Sequence, residues 1–338
     1  MMNNKPKMKS IKTYLLLFVY LVFSTNAFSQ YTEVINSNRP GVSSSAFAVG
    51  TNVVQLEVGP YILKETHTPL NYEVSGFGID FTVRYGLLLS ELEINIQGTY
   101  QNDTFTDNRS TISVENKRSN FKSFAIGAKY LVFDPYKNAE EEKPNLYSWK
   151  ANHRFKWKSL IPAVAVYAGV NFDTKNNPYV APGVEGISPK IMIATQNNFA
   201  GGWVFVLNLI KDRIGTDQSD FQYILTVTHS FNPKWVVFGE AHGISSDFYA
   251  DNLIRFGGAY LLSKDFQLDT AVTFNTKDTP SVFSVNFGAS YRFDFHIDKE
   301  IDNKSSAKDE AKRKSRGSKK KKKSKRKQED FNDDSGLM

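Results

Sequence analysis

The chain has 338 residues, 41% of them hydrophobic and none of them cysteine. That leaves room for one large all-β domain or two ordinary ones, and it excludes a disulfide framework, a thiolate metal site and a lipid-modified N-terminal cysteine. The net charge of +7 comes from the two ends, where Lys5, Lys7, Lys9 and Lys12 open the chain and a basic run fills 312–327; residues 30–296 are slightly acidic, so a nucleic-acid partner is not expected.

Residues 1–29 read as a signal peptide. "KPKMKSIKT" is a basic opening and "YLLLFVYLVF" an apolar run too short for a helical span, which takes about 20 residues. Ala27 and Ser29 occupy the small-residue positions, and cleavage is predicted before Gln30. Residues 30–51 carry Arg39-Pro40-Gly41 and Ser43 to Ser45, and Pro40 and Gly41 argue against a regular strand. This stretch is expected to be an N-terminal periplasmic or lumen segment, folded into or across the periplasmic mouth of the domain formed by residues 52–296, with Arg39 paired to a lumen carboxylate.

From 52 to 296 the pattern is period 2, repeated twelve times, which means a sheet with two chemically different faces. The first strand, about 52–63, sets Val54, Leu56, Val58 and Ile62 against Gln55 and Glu57. The second (74–86) sets Phe77, Ile79, Phe81, Val83 and Tyr85 against Asp80, Thr82 and Arg84. The third (90–102) sets Leu92, Ile94, Ile96 and Tyr100 against Glu91, Glu93, Asn95 and Gln97, and the fourth (119–132) sets Phe124, Ile126 and Tyr130 against Ser123, Gly127 and Lys129. The fifth (160–173) is more uniformly apolar and its facing stays open. The sixth (188–198) turns Lys190 and Gln196 away from Ile191 and Ile193; the seventh (201–210) carries Trp203, Phe205, Leu207 and Leu209; the eighth (219–231) alternates Phe221, Tyr223, Leu225 and Val227 with polar residues. The ninth (234–245) sets Trp235 and Val237 against Glu240 and His242, the tenth (252–262) Phe256 and Tyr260 against Arg255, the eleventh (265–275) Leu268 and Phe274 against Asp269, and the twelfth (281–295) Phe283 to Phe295 against Arg292 and Asp294.

The connections after the second, sixth, eighth and tenth strands are short. Those after odd-numbered strands read as longer and polar, such as 101–119 and 174–186. Short turns on one side and long loops on the other point to a transmembrane up-and-down antiparallel β-barrel of about twelve strands. The connection at 133–158 departs from that scheme and reads as an insertion. Aromatic residues gather at the strand ends: Tyr85, Tyr130, Trp203, Trp235, Phe266, Phe293 and Phe295 at the periplasmic side, Tyr100, Phe221, Phe274 and Phe283 opposite. Such girdles mark membrane interfaces.

The polar face would be the lumen, carrying Glu57, Asp80, Arg84, Glu91, Glu93, Lys129, Lys190, Glu240, His242, Arg255, Asp269, Arg292 and Asp294. Those charges either pair off in a closed interior or line a solute path. Eight strands hold only side chains and 16 to 18 leave an aqueous channel, so twelve falls between. Catalysis is not expected: His229 and Ser230 are adjacent in a strand and point to opposite faces, and the pair Glu240 and His242 is too few ligands for a metal. No cofactor is expected. The tail 297–338 is low in complexity and charged, hence predicted to be disordered. Behind a signal peptide and a barrel it would hang in the periplasm, its run 312–327 free to dock on an acidic protein or an anionic envelope surface.

"NRPGVSSSAFAVGTNVVQLEVGPY", with Asn38, Arg39, Pro40, Ser45, Gly50, Gln55, Leu56, Glu57 and Gly59, resembles the opening signature of the MetA-pathway of phenol degradation family. "RYGLLLSELEI", "WVVFGEAHG", "KDFQLDTAV" and "FGASYRFDF" come after it in order, so the resemblance covers about 38–296 apart from the insertion. It implies a transporter-like outer-membrane barrel of a Gram-negative bacterium, with a link to uptake of aromatic compounds. The "FSQ" junction resembles cleavage sites common in Bacteroidota. The expected function is a passive pore for a small, aromatic or hydrophobic solute. The alternative is a non-transporting accessory subunit of a secretion or barrel-assembly complex that docks through its loops and tail. Outer-membrane lipid is the expected surrounding in either case.

Overall fold

A computed structural model describes residues 34–136, 157–247 and 249–295. The predicted signal peptide, the tail and most of the connection at 133–158 lie outside the described residues. Twelve strands run in sequence: β1 Val53–His67, β2 Tyr72–Gly86, β3 Leu92–Asp107, β4 Val114–Phe133, β5 Ala163–Asp173, β6 Gly186–Phe199, β7 Trp203–Asp212, β8 Asp220–Ser230, β9 Trp235–Ser245, β10 Ala250–Ser263, β11 Phe266–Asn275 and β12 Ser281–Asp294. Each pairs antiparallel with the next, and β12 pairs with β1, so the sheet is a closed barrel without an edge. Closure satisfies every neighbour's backbone within the wall, which a strand structure in lipid requires.

The rim holding Val53, Gly86 and Asp294 is called the lower rim and the rim holding His67 and Tyr72 the upper rim. Burial reverses the pattern of a soluble protein. Leu56, Phe77, Ile193, Phe205, Phe256 and Phe287 are exposed on the outside, while Gln55, Arg84, Glu93, Lys129 and Asn208 are buried inside. A sandwich would bury the apolar face, so this distribution identifies a lipid-facing band around a polar interior. Aromatic pairs gather at the lower rim, with Trp203 stacked on His229 at 4.2 Å and Trp235 against Tyr260 at 4.7 Å.

Three sequence expectations need correction. Residues 101–119 are mostly not a loop: beyond an irregularity at Thr99 and Tyr100, β3 and β4 stay paired up to Asp107↔Val114. The upper connections at 68–71, 246–249 and 276–280 are likewise short, and 174–185 is the longest. The strands outrun the bilayer there, and where neither face meets lipid the apolar and polar contrast that reveals period 2 disappears. For the same reason Tyr100 lies in the middle of β3 rather than at its end, in edge contact with Phe121 at 5.5 Å.

The lumen is also not polar throughout. On the inner face of β4 to β8, Leu131, Ala163, Ala165, Tyr167, Met192, Ala194, Ile210 and Ile224 form a buried apolar cluster with Ala46, and Phe47 and Tyr136 pack against it. This settles the facing of β5, whose Ala163, Ala165 and Tyr167 point inward while Val166 and Phe172 face out. Tyr167 needs the space of two bare positions, since a Cβ on Gly127 or Gly169 would overlap its ring end.

Candidate functional site: the lumen and its N-terminal segment

Residues 34–52 have no strand partner, so their backbone groups need others inside the barrel. The wall supplies them. The chain enters at the lower rim, where Ile35 N donates to Lys264 O at 2.8 Å. Asn36 O accepts from Arg84 Nη1 at 2.7 Å and Gln55 Nε2 at 3.1 Å, and Asn38 N donates to Glu57 at 3.2 Å. Arg39 O accepts from Gln267 at 3.0 Å. Val42 N and Ser43 N then donate to Glu240 Oε2 at 3.0 and 3.2 Å. Ser44 N donates to Asn208 Oδ1 at 2.6 Å, and Ser44 O accepts from Asn208 Nδ2 at 2.9 Å. Gln196 Oε1 takes Ser45 Oγ at 2.8 Å, Lys129 Nζ donates to Ser45 O and Phe47 O, and Val49 N reaches Glu93 at 3.1 Å. The segment leaves at the lower rim over Gly86, which has no room for a Cβ because Gly50 O lies there.

The segment therefore visits nearly the whole circumference, from β1 and β12 through β11, β9, β8, β7 and β6 to β4 and β3. Two of its wall contacts, Glu240 and Asn208, each lie five residues into their strands, from Trp235 of β9 and Trp203 of β7. With a tilted strand rising roughly 2.6 Å per residue along the barrel axis, that is about 13 Å above the lower rim, half the height of a ~25 Å apolar band.

The charged residues separate into groups. Arg84 clasps Glu93 through two bonds of 2.8 and 2.9 Å and reaches Glu57 at 3.3 Å, and Lys129 meets Glu93 at 3.3 Å. These four are fully or almost fully buried, and opposite charges held this close offset a desolvation cost that neither sign could bear alone. Glu240 pairs with Arg255, which also donates to Thr273 at 2.9 Å. Arg39 pairs with Asp269 at 3.1 and 3.3 Å. Nearer the upper rim, Lys190 lies 3.5 Å from Asp212, Arg213 pairs with Asp173 at 3.0 Å and Arg118 with Asp103 at 2.7 Å. Tyr179, from the loop at 174–185, donates to the carbonyls of Gln101 and Arg118 at 3.2 Å, and burial pushes its hydroxyl pKa up.

Asp80 accepts from Thr99 at 2.7 Å. His242 bonds Gln222 at 3.0 Å rather than Glu240. Arg292, Asp265 and Asp294 form a group at the lower rim, where Asp294 is exposed, and Glu91 sits at the β2–β3 turn. Pro40 lines the space below the segment. Among the described residues no three His, Asp or Glu side chains converge as a metal site requires. Sequence reading set Gln55, Gln196, Thr226 and Gln267 on the polar face without making them part of the site, and it missed Asn208 and the inward Val206, Phe238 and Ala259. The one available signal was that the lower halves of β7 and β9 are apolar on both faces.

Two cavities flank the segment. The lower, about 260 Å³, is walled by Val206, Phe238 and Ala259 together with Thr226, Thr228 and Gln267. The upper, about 190 Å³, is walled by Glu57, Asp80, Thr99, Asn171 and Lys190. Asn38, Arg39 and Gly41 line both, so this stretch of the segment lies between them.

No curated protein matches the chain. Solved structures similar to it include an outer-membrane channel from Pseudomonas putida F1, 10% identical with a TM-score of 0.49, covering 77% of this chain and 100% of that one. The translocator domain of the autotransporter NalP from Neisseria meningitidis is 10% identical with a TM-score of 0.42, covering 84% and 96%. The toluene transporter TodX of Pseudomonas putida is 8% identical with a TM-score of 0.40, covering 80% and 99%. Residues 37–293 match the family described as "Putative MetA-pathway of phenol degradation", a span that takes in the segment from Ser37 on and all twelve strands but for the last residue of β12, and the chain belongs to that family.

Proposed function

We propose that the barrel is a passive outer-membrane channel for a small neutral solute with an apolar ring and a hydroxyl, closed at rest by its N-terminal segment. The observation that carries this reading is the pair of cavities meeting at Asn38, Arg39 and Gly41. A barrel built only to be solid would fill that space with side chains. A permanently open pore would not bind a crossing segment through backbone groups spread from Ile35 to Val49. The lower cavity sets an apolar wall against hydroxyls and amides, and its single charged neighbour, Arg39, is already paired with Asp269. Such a lining favours a solute that buries a ring and donates a hydrogen bond, and it disfavours an ion. The family's association with phenol degradation supports the same class.

On this reading the lower rim faces the periplasm. Both the segment and the end of β12 lie there, so the predicted signal peptide precedes and the basic tail follows on the same side, with 312–327 near anionic envelope surfaces. The test is single-channel recording in planar bilayers. Deleting 34–48 should open a conductance that the full chain lacks, and phenol should then block that current more than benzoate does. An unchanged conductance, or equal block by both, would overturn the proposal.

A further inference from the structure

The wall beneath Arg39 has an unusual row. Register pairs Asp269 of β11 with Gly288 of β12. The β1–β12 pairing runs through Val58↔Ala289 and resumes at Tyr61↔Asn286, which sets Gly59 opposite Gly288 and passes over Gly59 and Pro60. Asp269, Gly288 and Gly59 therefore form one row across three strands, at the seam where the barrel closes. The Arg39 guanidinium lies on the two glycines: a Cβ built on either would overlap its terminal atoms. From that position Nε and Nη2 reach the two oxygens of Asp269 side by side.

We propose that Gly59 and Gly288 form a saddle for a guanidinium, and that this saddle positions Arg39 as the latch holding the N-terminal segment in the lumen. The inference rests on the plugged-channel reading. A guanidinium is flat and carries its donors in a fixed fork, so it can lie on bare peptide planes and still meet a carboxylate with two bonds. A Cβ in the saddle would lift the plane and break that alignment. The overlapping atoms are the far ends of flexible side chains, Arg39 at both positions and Asp269 Oδ1 as well at Gly288, so the barrel itself can take an alanine at either position while the latch, which needs both side chains in place, cannot. The saddle has a second consequence. Its two halves come from the first and last strands, so it exists only once the barrel has closed, and the segment can lock only after that.

The test compares Gly59→Ala, Gly288→Ala, Arg39→Ala and Arg39→Lys in the full chain, with folding checked by heat-modifiable migration in detergent gels. Each glycine variant should raise the ratio of open to closed time at least about tenfold, as loss of a charged hydrogen-bonded contact implies. In the Arg39→Ala background the glycine substitutions should add nothing. Arg39→Lys, which keeps the charge and leaves the wall untouched, should open the channel as well, and it decides the matter if an alanine variant fails to fold. Should these variants stay as closed as the parent while deletion of 34–48 opens the pore, the saddle is wrong and the plug stands. Should the deletion itself change nothing, the plugged-channel reading fails first.

Discussion

Glu240 gives the sharpest test of how the segment is held. Its carboxylate accepts Val42 N and Ser43 N from the segment, and Thr226 Oγ1 and Arg255 from the wall. Glu240→Gln keeps the shape, removes the charge and replaces one accepting oxygen with a donor. Hydrogen bonds to a charged group contribute about 1.5–3 kcal/mol each, and because both amides fall on Oε2 while Oε1 meets Arg255, the new NH2 group must oppose a donor on one side or the other. The docked state should then lose about 1.5–3 kcal/mol, which is roughly a ten- to hundredfold shift toward the undocked segment. Two assays read it: the open fraction in single-channel recordings, and protease cleavage within 36–48 of the folded barrel from the lower side. A variant that folds, stays closed and resists cleavage like the parent would refute the claim that these amide bonds hold the segment in place.

The cluster at Arg84 should be the most costly to break. Arg84→Met leaves Glu57 and Glu93 without their shared cation and takes one of two donors from each of Asn36 O and Phe47 O, so urea unfolding in lipid vesicles should show a loss of about 3–5 kcal/mol. On the outer face, Phe256→Arg at mid-height of β10 should cost about 2–4 kcal/mol in the same measurement, whereas Phe293→Arg beside the lower rim should cost at most about 1 kcal/mol. Equal costs would contradict the placement of the bilayer. Gly127→Ala should push against Tyr167 and cost about 1–3 kcal/mol, and the double variant Gly127→Ala with Tyr167→Phe should recover part of it, since the phenol oxygen is among the overlapped atoms.

Much of the architecture is legible in the chain. A β-strand exposes alternate residues to opposite sides, so a wall between lipid and a polar interior imprints period 2 wherever both environments are present. That is why β2, β8 and β12 can be placed to within two residues from sequence, and why β3 beyond Tyr100 cannot: above the bilayer both faces meet polar surroundings. The inward apolar cluster around Tyr167 was hidden for the opposite reason, since a strand apolar on both sides carries no contrast.

The sequence by itself determined that the protein is a twelve-stranded barrel, that Glu57, Arg84, Glu240 and Asp269 share its interior, and that Arg39 precedes the first strand in a segment unable to be one. Only the tertiary structure decided which of these meet. Arg39 is 230 residues from Asp269, and Ser37 is 253 residues from Ser290, yet both pairs are in hydrogen-bond contact. Such neighbours depend on which strand closes against which and in what register. Periodicity is a local property that repeats along one strand, whereas the row of Gly59, Gly288 and Asp269 exists only where the first strand has come to lie against the last.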